Sequence, residues 1–174
     1  MRKIFFILLL LACNASWAKN TPVIDDTDDL TARSWLVADS DDRILGGKNT
    51  GDVRSIASIT KVFTVLTVMA AHQDLDQYIR YNRQLYATRQ DLIAMAMVRS
   101  DNHAADLLCK HYPNGYRDCI DNMNIMARMF GMTNTNYADA TGLLATNTST
   151  AVDLLKLLNA AERYPLIVEA SKKN

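Results

Sequence analysis

Apolar residues recur at helical spacing through most of the chain, and polar breaks carrying helix start and stop signals separate the runs. Near the beginning the pattern is different. Residues 34–39 (Ser-Trp-Leu-Val-Ala-Asp) read as a strand, Asp41-Asp42 as a turn, and residues 43–45 as a returning strand ended by Gly46-Gly47, which together make a β-hairpin. Ser58 then opens a helix to about His72, and its stretch 62–71 is so apolar that it reads as a buried helix. Thr88 with Asp91 three residues on forms a capping box for a helix through Val98. Further helices are predicted over about 103–112, stopped before Pro113, and over about 116–130. The second of these sets Ile120, Met123, Ala127 and Phe130 on one face and has Gly131 as its stop. Residues 133–148 form a polar loop, and Thr150 with Asp153 make a second capping box for a helix through Ala161. Tyr164-Pro165 breaks that helix, and a short amphipathic tail follows. The pattern therefore predicts an α+β, mostly helical chain, with one hairpin packed on a lobe of five or six helices.

The first residues change the picture of where such a domain works. Arg2 and Lys3 precede an unbroken apolar run over 4–12, too short to span a bilayer, and Ser16-Trp17-Ala18 offers small residues for cleavage. Residues 1–18 thus read as a signal peptide for export to the periplasm, 19–33 as a polar leader, and 34–174 as the domain. Leu10-Leu11-Ala12-Cys13 gives a competing lipoprotein reading, with an anchor at Cys13. Asp25, Asp26, Asp28 and Asp29 read as solvated linker rather than a calcium loop, since no loop-forming glycine follows.

Length and charge exclude several classes. With 174 residues the chain supports one domain with a sizeable core. Lys+Arg and Asp+Glu both total 19, so nothing points to nucleic acid as a partner, and beyond position 18 the balance is about −2. In an oxidising compartment Cys109 and Cys119, with Pro113 and Gly115 between them, suit a disulfide; two small apolar side chains in the core are the alternative. His72, His103 and His111 show no ligand spacing and the two cysteines match no zinc pattern, so no metal is expected.

Candidate chemistry lies in two short runs. In Ser58-Ile59-Thr60-Lys61, a hydroxyl and an amine stand three residues apart, on one helix face. Lys61 serves as a base only when neutral, and burial in apolar surroundings (Ala57 and Val62 are adjacent) lowers a lysine's pKa toward that state. In Ser100-Asp101-Asn102, the Ser100 hydroxyl is placed to relay a proton, and Asn102 offers donor and acceptors to Lys61 or to a peptide substrate. The Ser58 N–H would be one donor of an oxyanion hole. Each run alone is weak, because Ser-x-x-Lys pairs are commonly surface residues and Ser-Asp-Asn commonly caps helices or makes turns. Their context joins them: the first opens an apolar helix after a hairpin, and the second follows a capped helix.

Those two runs, with residues 34–39, 54–57, 123–124, 130–135, Asp139-Ala140-Thr141-Gly142-Leu143 and 147–154 in the same order, resemble the D-alanyl-D-alanine carboxypeptidase/endopeptidase family, the low-molecular-mass penicillin-binding proteins. The resemblance covers about 34–165. It implies a β-lactamase-like fold and a serine peptidase cleaving the D-Ala-D-Ala end or the D-centred cross-link of peptidoglycan stem peptides. Ser58 would be acylated, Lys61 its base, and Ser100 and Asn102 the second wall, with water completing hydrolysis. It also implies β-lactams as inhibitors and no cofactor, metal or organic.

One element of that family is missing from the sequence: Lys-Thr-Gly occurs nowhere in it, and Lys172-Lys173-Asn174 lacks the glycine and the strand pattern. The resemblance assigns to that strand the third wall of the site and the second oxyanion donor. Two expectations follow. One is an active peptidase whose sheet is completed by a strand-supplying partner or by self-association. The other is a non-catalytic exported murein- or partner-binding remnant, a truncated product. A β-lactamase is disfavoured, because the only glutamates are Glu162 and Glu169, outside the context of a deacylating carboxylate.

Overall fold

The computed structural model describes residues 31–173. The signal and lipobox readings of residues 1–18, with Cys13, and the acidic run 25–29 lie outside the described residues.

A hairpin opens the structure: β1 (Trp35–Ala38) pairs antiparallel with β2 (Ile44–Lys48), with a register shift between Val37 and Ala38. Gly46 and Gly47 do not end β2, as the sequence suggested, but lie inside it. A Cβ on Gly46 would sit 3.4 Å from the Trp35 indole, so glycine there makes room for the ring rather than stopping the strand.

Four very short strands escape the periodicity rules. β3 (Arg54–Ser55) pairs with β6 (Thr148–Ser149), and β4 (Tyr78–Arg80) pairs with β5 (Tyr86–Thr88). Two or three residues do not display a period of two, so the sequence offered one hairpin where the described residues hold three two-stranded sheets.

The helical lobe is built around α1 (Thr60–Ala70), which follows a 3-10 turn over Ala57–Ile59. Phe63, Val65, Leu66 and Val68 are almost fully buried, each burial stabilising by about 1.5–3 kcal/mol. Polar positions in α1 are buried as well, because they have partners. Thr64 Oγ1 donates to the Ala140 carbonyl at 2.8 Å, and Thr67 Oγ1 to the Phe63 carbonyl at 2.9 Å. Around this helix pack α2 (Arg89–Val98), α3 (Asn102–Lys110), α4 (Tyr116–Met129), α5 (Ala151–Ala161) and α6 (Pro165–Ser171).

Local signals place the helix ends. The Thr88–Asp91 capping box is complete in both directions. The second predicted box is half a box. Thr150 accepts from the Asp153 N–H, but the Asp153 carboxylate turns away to Asn134 N, Thr135 Oγ1 and Lys156, tying the 133–148 loop to α5. Cys109 in α3 and Cys119 in α4 are joined as a disulfide, with their Cα atoms 5.3 Å apart. No helix among the described residues is long and apolar enough to cross a membrane.

Candidate active site

Ser58 occupies the middle of the 3-10 turn, two residues before α1 rather than at its first residue. Two neighbours hold that turn. On one side the β3–β6 pair and the Ile56 N–H to Asn147 carbonyl bond, 3.1 Å, fix the incoming chain. On the other, α1 carries it into the core. Ala57 is held at φ +44, a left-handed conformation costing an alanine about 1–2 kcal/mol. The surrounding contacts must sustain that strain, and it leaves the Ser58 side exposed while Thr60 and Lys61 turn inward.

Lys61 is only 2 % exposed. Its Nζ bonds Ser58 Oγ at 2.8 Å and the Thr141 carbonyl, 80 residues away, also at 2.8 Å. Burial pushes the amine's pKa below its ordinary 10.5, while the Asp139 and Asp101 carboxylates pull it back upward. A neutral Lys61 can donate to the Thr141 carbonyl and turn its lone pair to the Ser58 O–H. That is the geometry a general base needs.

The loop that supplies the carbonyl is organised around one carboxylate. Asp139 Oδ1 accepts from Thr141 N (2.6 Å), Thr141 Oγ1 (2.9 Å) and Gly142 N (2.6 Å), while Oδ2 accepts from Leu144 N (2.7 Å). Burial acts to raise its pKa, yet those donors outweigh burial and hold it below the usual carboxylate value. Asn147, fully buried, braces the same loop. Its amide donates to Thr60 Oγ1 and the Asp139 carbonyl, and its oxygen accepts from Ala138 and Asp139 N–H. Gly142 closes the loop on the serine turn, where a Cβ would lie 1.8 Å from the Ala57 carbonyl oxygen.

Ser100 and Asn102 sit at the α2–α3 junction. Ser100 is exposed with φ +52, and Asn102 is the first residue of α3 rather than part of a loop. Asp101 between them caps α3, accepting from Ala104 N at 3.0 Å and from the Tyr81 hydroxyl at 2.8 Å. Burial opposes its ionisation, but those two donors hold its pKa below the usual value. His103 in turn contacts the Tyr81 carbonyl at 2.7 Å. The structure thus brings Ser58 and Lys61 together and sets Ser100 and Asn102 on a separate element. The Lys61 amine is held by the Thr141 carbonyl, not by Asn102 or Ser100.

Sequence reasoning missed Thr141, Asp139, Gly142 and Asn147 as parts of this site. The run 139–143 and Asn147 were visible only as stretches of likeness, since a backbone carbonyl leaves no mark in the residue type. A hollow of about 560 Å³ between β1–β2 and α5, lined by Trp35, Leu36, Leu154, Leu158 and Glu162 among others, holds no nucleophile paired with a base. The hydroxyl–amine pair of Ser58 and Lys61 lies outside that hollow, with Ser58 on an open face. Among the described residues no cluster of three or more His, Cys, Asp or Glu could hold a metal.

Comparison with known proteins places the chain in a family. A family model for D-alanyl-D-alanine carboxypeptidase matches residues 73–173. The D-alanyl-D-alanine endopeptidase of Escherichia coli (strain K12) is 40% identical over 134 residues, covering 68% of this chain and 43% of that protein. The D-alanyl-D-alanine endopeptidase of Pseudomonas aeruginosa is 34% identical over 161 residues, covering 82% of this chain and 51% of that one. The chain therefore spans about half the length of the curated relatives it matches. In fold it is similar to penicillin-binding protein D2 from Listeria monocytogenes in its cefotaxime-bound form, with TM-score 0.76 and 24% identity over 83% of this chain and 67% of that one. It is likewise similar to a Streptomyces K15 DD-transpeptidase mutant, with TM-score 0.75 and 22% identity over 81% of this chain and 65% of that one.

Proposed function

The chain belongs to the D-alanyl-D-alanine carboxypeptidase family, and we propose on that premise that it is a serine-type hydrolase acting on peptidoglycan stem peptides through an acyl-enzyme. The observation that carries this is the 2.8 Å contact between a buried Lys61 amine and an exposed Ser58 hydroxyl. Neutral Lys61 takes the Ser58 proton as Oγ attacks the carbonyl carbon of a D-alanine residue. The proton passes to the leaving amine as the peptide bond breaks, with the Ser100 hydroxyl as relay. Water then attacks the Ser58 ester and frees the acid, again with Lys61 as base. The Ser58 N–H is one oxyanion donor, and Asn102 binds the substrate peptide.

β-Lactams, strained mimics of the scissile amide, acylate Ser58 by the same steps. The penicillin-binding protein D2 neighbour is a cefotaxime-bound form. Residues 34–174 form the catalytic domain, delivered to the periplasm by residues 1–18. The two-stranded β1–β2 sheet is where a strand-supplying partner or a second copy would add. The two curated relatives are named endopeptidases, so cross-linked muropeptides are the first substrate to try. Incubating the full exported chain with them should release monomers by chromatography, and Ser58→Ala should release none. Equal release by both proteins would refute the assignment.

A further inference from the structure

The Asp139 carboxylate has no direct contact with the serine or the lysine, yet it spends all four of its hydrogen bonds on the segment whose carbonyl holds Lys61. The Gly142 N–H belongs to the same peptide unit as the Thr141 carbonyl and the Thr141 N–H to the unit before it, so these two bonds restrain how the Thr141 carbonyl turns. A buried carboxylate that accepts four hydrogen bonds does not swing freely, and neither does the carbonyl it orients.

We propose that Asp139 is a positioning residue for the general base: by clamping residues 141–144 it aims the Thr141 carbonyl at the Lys61 amine and keeps Nζ within reach of the Ser58 hydroxyl. This rests on the acyl-transfer reading above and deepens it. Three features make the clamp specific to a carboxylate. Oδ1 takes three donors at once, which favours an anion over a neutral amide oxygen. Oδ2 takes the Leu144 N–H, which an asparagine would confront with its own N–H₂. And the negative charge acts on Lys61 through space, opposing the effect of burial on the amine. The other charged group bearing on that amine is Asp101 at the start of α3, itself held by Tyr81, with His103 beside it. On the loop itself, the Tyr116 hydroxyl from α4 accepts from the Ala140 N–H at 3.1 Å.

Two variants and two readouts test the proposal on the full chain. Asp139→Asn removes the charge and one acceptor; Asp139→Ala removes the clamp. The first readout is penicillin acylation rate against pH, which falls on the acid side as Lys61 takes up a proton. The second is independent of activity: lysine labelled with ¹³C at Cε, with the Lys61 signal assigned by its loss in Lys61→Arg, reports the amine's titration by NMR. Removing the nearby anion should move the Lys61 midpoint, and with it the acid limb, to lower pH in Asp139→Asn. Acylation at the plateau should slow by about a hundredfold in Asp139→Ala, as expected for a group displaced by about 1 Å. If either variant only melts at lower temperature, with Lys61 titrating and acylating as in the wild type, Asp139 is a loop brace and the proposal is overturned. If the wild type is not acylated at all, the acyl-transfer reading fails. The Lys61 titration then still decides about Asp139: an unmoved midpoint in Asp139→Asn overturns the clamp, and a lowered one sustains its action on the amine.

Discussion

Substituting Gly142 by alanine should damage both the fold and the chemistry, and the structure sets the size of each effect. Gly142 has φ +83, where a Cβ costs about 1–2 kcal/mol by itself. The added atom would also meet the Ala57 carbonyl oxygen at 1.8 Å and Thr60 Oγ1 at 3.0 Å. Ordinary contact begins near 3.4 Å, so the 139–144 loop and the Ser58 turn must part by about 1.5 Å. Both sides are backbone, and no flexible side-chain end can yield in their place. Strain and lost packing together should cost about 3–5 kcal/mol, lowering the melting temperature by roughly 10 °C. The same displacement opens the 2.8 Å Lys61–Thr141 bond beyond hydrogen-bond range, so penicillin acylation should slow by about a hundredfold or more. Two other glycines separate the contributions. Gly115 has φ +93 with nothing within 4 Å of an added Cβ, so Gly115→Ala should show the backbone cost alone, about 1 kcal/mol, with acylation untouched. Gly51, with open space and no positive φ, should tolerate alanine within about 0.5 kcal/mol. Thermal melts and stopped-flow acylation on the three variants suffice. A Gly142→Ala protein as stable and as fast as wild type would refute the claim that this close approach holds the site together.

Lys61→Met should abolish acylation by more than about a thousandfold while circular dichroism stays native, because an apolar chain of similar length fills the same buried space. Lys61's folded pKa lies below its unfolded 10.5, so the unfolded chain binds the extra proton, and stability should rise with pH across the interval between those values. Denaturant titrations of the wild type should show that rise and those of Lys61→Met should lack it. The Asp139 carboxyl is depressed below 3.8, so the stability it contributes is present above that pH and lost as pH falls through the folded value. Asp139→Asn should flatten this part of the acid denaturation curve. Removing the Cys109–Cys119 disulfide, which closes a 10-residue separation, should cost about 3 kcal/mol in denaturant titrations, with acylation at low denaturant preserved.

What could be read from the sequence follows the range of the interactions involved. The Ser58–Lys61 pair and the Thr88–Asp91 box are contacts between residues three apart, and helical geometry alone brings them together. The half-formed box at Thr150 shows the limit of that logic. Asp153 has the right spacing, but a tertiary partner, the 133–135 segment, takes its carboxylate instead. Ser100 and Asn102 follow the capped helix as the pattern implies, and of the two partners open to Asn102, Lys61 or a substrate peptide, Lys61 is instead held by a carbonyl 80 residues away. Backbone acceptors are the same at every position, so no residue type announces them. β3 and β6, two residues each, are fixed by pairing across the molecule, and Gly46-Gly47 looked like a stop only because the Trp35 ring above Gly46 could not be foreseen.

Whether Ser58 is acylated with Lys61 as its base can be decided by intact-mass spectrometry of the full chain after exposure to saturating benzylpenicillin. One covalent adduct of the penicillin's mass is expected, located by peptide mapping on the segment containing Ser58, and absent from both Ser58→Ala and Lys61→Met. An unmodified wild-type chain, or an adduct that persists when Ser58 is replaced, would rule that chemistry out.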